Sequence, residues 1–335
     1  MQRSPCADQI PERRGLMKKH ILLLLLLACV LFRANAQEWP KQPVHLVLPF
    51  AAGGAADVVT RIVMAKVSQQ TGQQFVVDNR TGGSGIIGTE VVAWANPDGY
   101  TFLVGSPGTI AINPNFFDSL PYDVSKDFVP VVQIARFPQM LVVSSKFGGS
   151  SAKEFIELIR STPGGLNYGS SGNGSTGHLI TESFLAQIGA KANHIPFRGG
   201  APAALALAGG HVDFVIDGLP TFASQLESKR IRILAITSQN RWKGLPDIPT
   251  IGEITSSRFD MGSWVLILAP HGTPAGIIEK FAQEASKAAQ DPAVEKQLMG
   301  VGAIPVGGTP QEALGFVRAE DKKWGDTIRA SGAKP

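Results

Sequence analysis

Three stretches of this 335-residue chain bring glycines and small hydroxyls to the expected start of a helix. They are Pro49-Phe50-Ala51-Ala52-Gly53-Gly54-Ala55-Ala56-Asp57, Gly82-Gly83-Ser84-Gly85 and Gly172-Asn173-Gly174-Ser175-Thr176-Gly177-His178. Peptide N–H groups at a helix start lack intrahelical acceptors and carry the positive end of the helix dipole, so they can hold a carboxylate. Gly53 and Gly54 allow a sharp turn and close approach of another molecule to the backbone. Asp57 falls in the first helical turn, where a negative side chain suits the dipole and orients the helix start. Ser106, Ser170, Ser171, Ser175 and Thr176 can add hydrogen bonds. Asp217, at the end of an apolar run, would accept from an amine, a hydroxyl or a bridging water, or else cap a helix. Arg80 and Arg198 would face a ligand or sit in structural ion pairs. One such turn alone is ordinary α/β chemistry. Three together describe a cleft lined by N–H donors that grips an anion without an arginine clamp.

Other chemistries fit the residues less well. Gly83-Ser84-Gly85-Ile86-Ile87-Gly88 spells G-x-G-x-x-G, but it follows the second expected strand, and the next strand ends at Gly105-Ser106 without an acid for a ribose. A serine hydrolase would need a nucleophile elbow, and Asn173 stands where its first glycine belongs before Ser175. His178, in a helix's first turn, is structural or ligand-facing rather than a base. The histidines outside the leading segment, His45, His178, His194, His211 and His271, lack zinc spacing, so neither a metal nor a cofactor is expected.

The elements that must position these residues alternate. An apolar strand precedes Phe50, a helix runs on from Asp57, and Gln74–Asp78 and Tyr100–Gly105 read as further strands, which predicts a mostly parallel α/β sheet. Two apolar runs follow, Val129–Ala135 and Met140–Ser145, which together read as one long strand over Val129–Ser145. Ser151 with Glu154 forms a capping pattern for a helix over Ala152–Arg160. Strand, glycine turn and helix then recur from Leu166 onward, and Ser263–Pro270 is a last long strand. This predicts one domain over 37–138 plus 265–335 and another over 139–264, joined by two crossing strands and able to flex about a cleft.

The leading residues belong to export rather than fold. Met17-Lys18-Lys19, the apolar run after it and Ala34-Asn35-Ala36 have the form of a signal peptide over 1–36, cut before Gln37, with Met17 a candidate start. Leu26-Leu27-Ala28-Cys29 weakly resembles a lipoprotein box. Of 31 basic and 27 acidic residues, six and two precede Gln37, which leaves 25 of each in the mature part. The basic character of the whole chain thus carries no sign of nucleic acid. Both cysteines, Cys6 and Cys29, also precede Gln37, so no disulfide or thiol chemistry is expected. With 44% hydrophobic and 17% charged residues the rest can bury an ample core.

Taken in order, the motifs resemble the Bug, or TctC-like, family of periplasmic solute receptors for tripartite tricarboxylate transporters. P-F-x-x-G-G-x-x-D-x-x-x-R is matched by Pro49, Phe50, Gly53, Gly54, Asp57 and Arg61, and the V-(D/E)-N-R-x-G-A-x-G pattern by Val77 through Gly85, with Gly83 in place of the usual alanine. Pro97-Asp98-Gly99-Tyr100-Thr101, Gly169 through Leu179, Ile195-Pro196-Phe197-Arg198-Gly199, Leu245 through Thr250 and Ala269 through Pro274 continue the series, with Phe197 where tyrosine is commoner. The resemblance implies a two-domain, periplasmic-binding-protein-like (type II) fold that closes on a small carboxylate ligand. It further implies that Phe50, Ala52, Gly53, Gly54 and Asp57 on one side, and Ser170, Ser171, Ser175, Thr176 and His178 on the other, hold the carboxylate through N–H groups and bridging waters. The expected partners are permease subunits of a tripartite transporter, or a membrane sensor kinase; the expected location is the periplasm and the expected state a monomer. A secreted hydrolase using Ser175 and His178 is the reading from another class.

Overall fold

The computed structural model describes residues 39–331; the expected signal peptide and both cysteines lie outside them. The chain divides into two units, Met1–Lys41 and Gln42–Pro335, and the sheet and site lie in the second. In chain order that unit runs β1 (Val44–Leu48), α1 (Ala55–Thr71), β2 (Phe75–Asn79), α2 (Ile86–Ala93), β3 (Thr101–Gly105), α3 (Asn113–Phe116), α4 (Val124–Asp127) and β4 (Phe128–Ser144). It continues through α5 (Ala152–Ser161), β5 (Leu166–Ser170), α6 (Thr176–Ile188), β6 (Ala192–Pro196), α7 (Gly200–Gly209), β7 (Phe214–Gly218), α8 (Leu219–Glu227) and β8 (Ile231–Ile236). The last elements are α9 (Ile251–Thr255), β9 (Gly262–Pro270), α10 (Ala275–Ala289), α11 (Pro292–Gly300), β10 (Ile304–Pro305) and α12 (Pro310–Ser331).

One sheet runs through the unit in the order β2-β1-β3-β9-β4-β7-β5-β6, with β8 and β10 also paired to β4. The pairs β1–β2, β1–β3, β5–β6 and β5–β7 are parallel, whereas every pair made by β4 or β9 is antiparallel. The sheet is therefore mixed rather than mostly parallel: parallel pairing is confined to its two ends, where helices make the crossovers.

The two apolar runs at Val129–Ala135 and Met140–Ser145 join, as expected, in one long strand, the 17-residue β4. Residues Phe128–Pro138 of β4 pair with β9, and Gln139 onward with β7 and β8. Pro138, which has no N–H to donate, sits where β4 changes partners, so the strand loses little by carrying it.

Local signals behave as their chemistry demands. Ser151 caps α5 by accepting the Glu154 N–H at 3.2 Å. Helix α1 buries Val59, Val63, Met64 and Val67 on one face and ends on Gly72 in the left-handed region. Helix α12 is fastened to β9 by Glu320, whose carboxylate accepts both the Trp264 and Trp324 indole N–H groups at 2.7 and 2.9 Å.

Candidate ligand-binding cleft

Gly53 shapes the β1–α1 turn with φ of 81°, and Gly54 stands at the N-cap of α1. The Asp57 carboxylate holds the turn by accepting from Gly53 N–H at 2.9 Å, Arg61 Nε at 3.0 Å and Asn79 Nδ2 at 3.0 Å. Asn79 Nδ2 also donates to the Phe50 carbonyl at 2.9 Å. Five residues from two of the motifs thus lock a single loop. Asp57 is only 4% exposed and organises the helix start. The Ala55 N–H donates to Thr221 Oγ1 at 3.0 Å, from the first turn of α8. The N–H groups of Ala56 and Asp57 have no intrahelical acceptor and no partner among the described residues.

The β5–α6 loop is the counterpart. Ser175 caps α6, its Oγ accepting the His178 N–H at 3.3 Å, and the Gly174 N–H donates to His178 Nδ1 at 3.1 Å. Ser170 Oγ accepts the Gly172 N–H at 3.1 Å and lies 2.6 Å from His194 Nε2. The rings of His178 and His194 stack, and Tyr168 stacks on His194 with centroids 4.8 Å apart. Burial drives the pKa of His178 down to about 3, helped by its histidine neighbour, and that of His194 to about 4. A neutral His178 whose Nδ1 accepts a backbone N–H, beside a Ser175 hydroxyl occupied as a cap, is a loop brace and not a nucleophile–base pair.

These two helix starts line one narrow cleft of about 50 Å³. Phe50, Gly54, Ala56 and Asp57 come from the first loop, and Ser171, Thr176 and Gly177 from the second. Ser106 follows β3, and Asp217 ends β7. Glycine at the start of α7 lets the backbones meet: a Cβ on Gly200 would lie 2.6 Å from Asp217 Oδ2, and one on Gly199 2.8 Å from Ala51 Cβ. Burial raises the Asp217 pKa to about 6, against the opposing pull of the Gly218 N–H and the Thr221 hydroxyl.

Of the residues the sequence nominated, Phe50, Gly54, Asp57, Ser106, Ser171, Thr176 and Asp217 meet in the cleft. Ser170, Ser175 and His178 lie behind the second loop as its bracing. Ala52 and Gly53 are on the exposed outside of the first turn, and Arg80 and Arg198 are exposed and outside the cleft lining. Sequence reasoning missed Phe137, Gln139 and Ser263, which the crossing strands β4 and β9 supply. Gln139 is 1% exposed, and its Nε2 has no acceptor among the described residues. Its only sequence signal was a polar side chain abutting an apolar run.

A mixed α/β sheet folded about a cleft of opposed helix starts defines a periplasmic-type solute-binding receptor, and the comparisons with known proteins agree. The chain belongs to the tripartite tricarboxylate transporter receptor family TctC, whose model matches residues 59–333. A UPF0065 protein from the tcbD-tcbE intergenic region of Pseudomonas sp. strain P51 is 34% identical, the match covering 95% of this chain and 96% of that protein. Protein BugT of Bordetella pertussis is also 34% identical, over 90% of this chain and 92% of its own. Among solved structures, Rpa4515 of R. palustris with adipate superposes with a TM-score of 0.86 at 38% identity, covering 89% of this chain and 99% of that one. MatC from Rhodopseudomonas palustris with bound malate gives 0.81 at 30% identity, over 87% and 100%. The family is one of receptors, not enzymes.

Proposed function

We propose that this chain is the periplasmic receptor of a tripartite tricarboxylate-type permease, closing on a small organic carboxylate and presenting it to the membrane subunits. The observation that carries this reading is the pair of helix starts, at Ala56-Asp57 and Thr176-Gly177, lining one cleft with N–H donors that have no partner among the described residues. Such donors hold a carboxylate by charge–dipole attraction and hydrogen bonding. The adipate and malate in two neighbouring structures support the same ligand class. In this reading residues 37–138 with 265–335 form one moving body and 139–264 the other, and β4 is the hinge between them. The Ala55–Thr221 hydrogen bond then bridges the two bodies in the closed form. Export would follow cleavage before Gln37, and the receptor would act as a monomer.

A thermal-shift screen tests it, with adipate, malate, citrate, aspartate and benzoate. A true ligand at about 100 times its Kd should add about 2.7 kcal/mol of stability. No shift with any carboxylate, across a panel including tricarboxylates and aromatic acids, would sink the carboxylate-receptor reading. Co-purification of the chain with membrane permease subunits in the presence of ligand tests the transporter role; capture of a sensor kinase instead would replace it.

A further inference from the structure

A second and larger cavity, of about 620 Å³, abuts the same crossing strands. Phe137 and Ser263, register partners on β4 and β9, line both it and the ligand cleft. Its volume falls in the range of about 300–1,000 Å³ typical of small-molecule sites. Trp264, Met261 and Phe316 give it an apolar wall.

The polar groups around this wall are unbalanced in one direction. Gln133 is more than nine-tenths buried, and its Nε2 has no acceptor among the described residues; the buried Trp242 Nε1 has none either. The Arg136 guanidinium, on the same strand as Gln133, is exposed at the rim and makes no ion pair or hydrogen bond with any described residue. Of the two acids that line the cavity, Glu320 accepts two indoles and pairs with Lys323, and Asp260, exposed at the rim, accepts the Gln239 N–H. Among the described residues, the buried atoms of this lining without a partner are both donors, and the exposed Arg136 beside them favours an acceptor-rich ligand.

We propose that this cavity is a second binding site, for an amphipathic carboxylate with an aromatic or medium-length alkyl body. The carboxylate would take the Arg136 fork, the geometry guanidinium suits best. The apolar body would lie on Trp264, Met261 and Phe316. The site is distinct from the cleft of helix starts, which offers backbone donors and no cation.

Two tryptophans in the wall supply the readout. Purified protein is titrated with 4-phenylbutyrate and with octanoate while tryptophan emission is followed, with 4-phenylbutanol as the uncharged control. The expected result is a saturable change for at least one acid, affinity lower by about tenfold or more for the alcohol, and a similar loss in Arg136→Gln. Saturating adipate should leave the probe bound. The proposal is overturned by the absence of saturation with both acids, by equal affinity for acid and alcohol, by equal affinity in Arg136→Gln, or by full competitive displacement with adipate, which would put the probe in the cleft. The alcohol comparison uses the parent protein and so stands even if the variant folds poorly.

Discussion

The imidazoles of His178 and His194 lie face to face, with centroids 4.0 Å apart and planes within 9° of parallel. Each ring also serves the β5–α6 loop, His178 through the Gly174 N–H and His194 through the Ser170 hydroxyl. Two stacked imidazoles tolerate one another only while neutral, and burial keeps them so. The β5–α6 loop therefore depends on a pair of side chains that lie behind it rather than in the cleft lining.

That dependence has a pH signature. The folded-state values, about 3 for His178 and about 4 for His194, lie below the ordinary 6.5. As pH falls below 6.5 the unfolded chain takes up protons that the folded chain refuses, so stability declines towards pH 4 and is fully present above 6.5. The total effect is on the order of a few kcal/mol. Urea midpoints measured from pH 7.5 to 4.5 should fall, and His178→Gln/His194→Gln should show a flatter profile; identical slopes would refute the neutral stack.

Asp217 predicts the opposite slope. Its folded value of about 6 lies above the ordinary 3.8, so the folded state holds the extra proton between those limits. This contribution is fully present below pH 3.8 and lost as pH rises through about 6. Asp217→Asn, which has no charge to desolvate, should raise stability at pH 7.5 by about 1–2 kcal/mol. A destabilised variant at that pH would mean that the hydrogen bonds from the Gly218 N–H and the Thr221 hydroxyl outweigh the cost of burying the charge.

Asp57→Ala removes the acceptor of three donors, from Gly53, Arg61 and Asn79. The expected loss is about 1–3 kcal/mol of stability, by chemical denaturation, since the Gly53 N–H and Arg61 Nε lose their acceptor and Asn79 Nδ2 keeps only the Phe50 carbonyl. Ligand affinity should fall as well because the N–H groups of the α1 start lose their fixed direction. Loss of affinity without loss of stability would instead make Asp57 a direct ligand contact.

Gly54→Val tests close approach. A Cβ on Gly54 meets only the Ala51 carbonyl at 3.6 Å and the Gly200 nitrogen at 3.8 Å, so the turn has room for the first carbon. Its φ of −76° is open to any residue. The branched methyls would project into the cleft and block both ligand and the approach of α7. A folded protein by circular dichroism, with affinity reduced by at least about tenfold for whichever carboxylate the thermal-shift screen finds, is the expected outcome. Unchanged affinity would remove this turn from the site.

Much of this molecule was legible in the residues alone. Gly53-Gly54 before Asp57 and Gly172-Asn173-Gly174-Ser175 before His178 announced two helix starts, because turn geometry and capping are local and depend on a few side chains. The order of motifs then carried the family. What the sequence could not decide was which apolar runs would pair. Val129–Ser145 reads as one long crossing strand and is one, but no local signal shows that its partner changes from β9 to β7 and β8 after Pro138. Pairing is a long-range property, and a run of valines is equally content in a parallel or an antiparallel ladder. The same holds for the site. That Phe137, Gln139 and Ser263 enter the cleft, and that Thr221 caps a helix 166 residues away, follows from which strands cross and which backbones glycine allows to meet. The sequence determined the two jaws, since each is a local loop. Only the tertiary structure brought them to one cleft and set Gln139 and Asp217 between them.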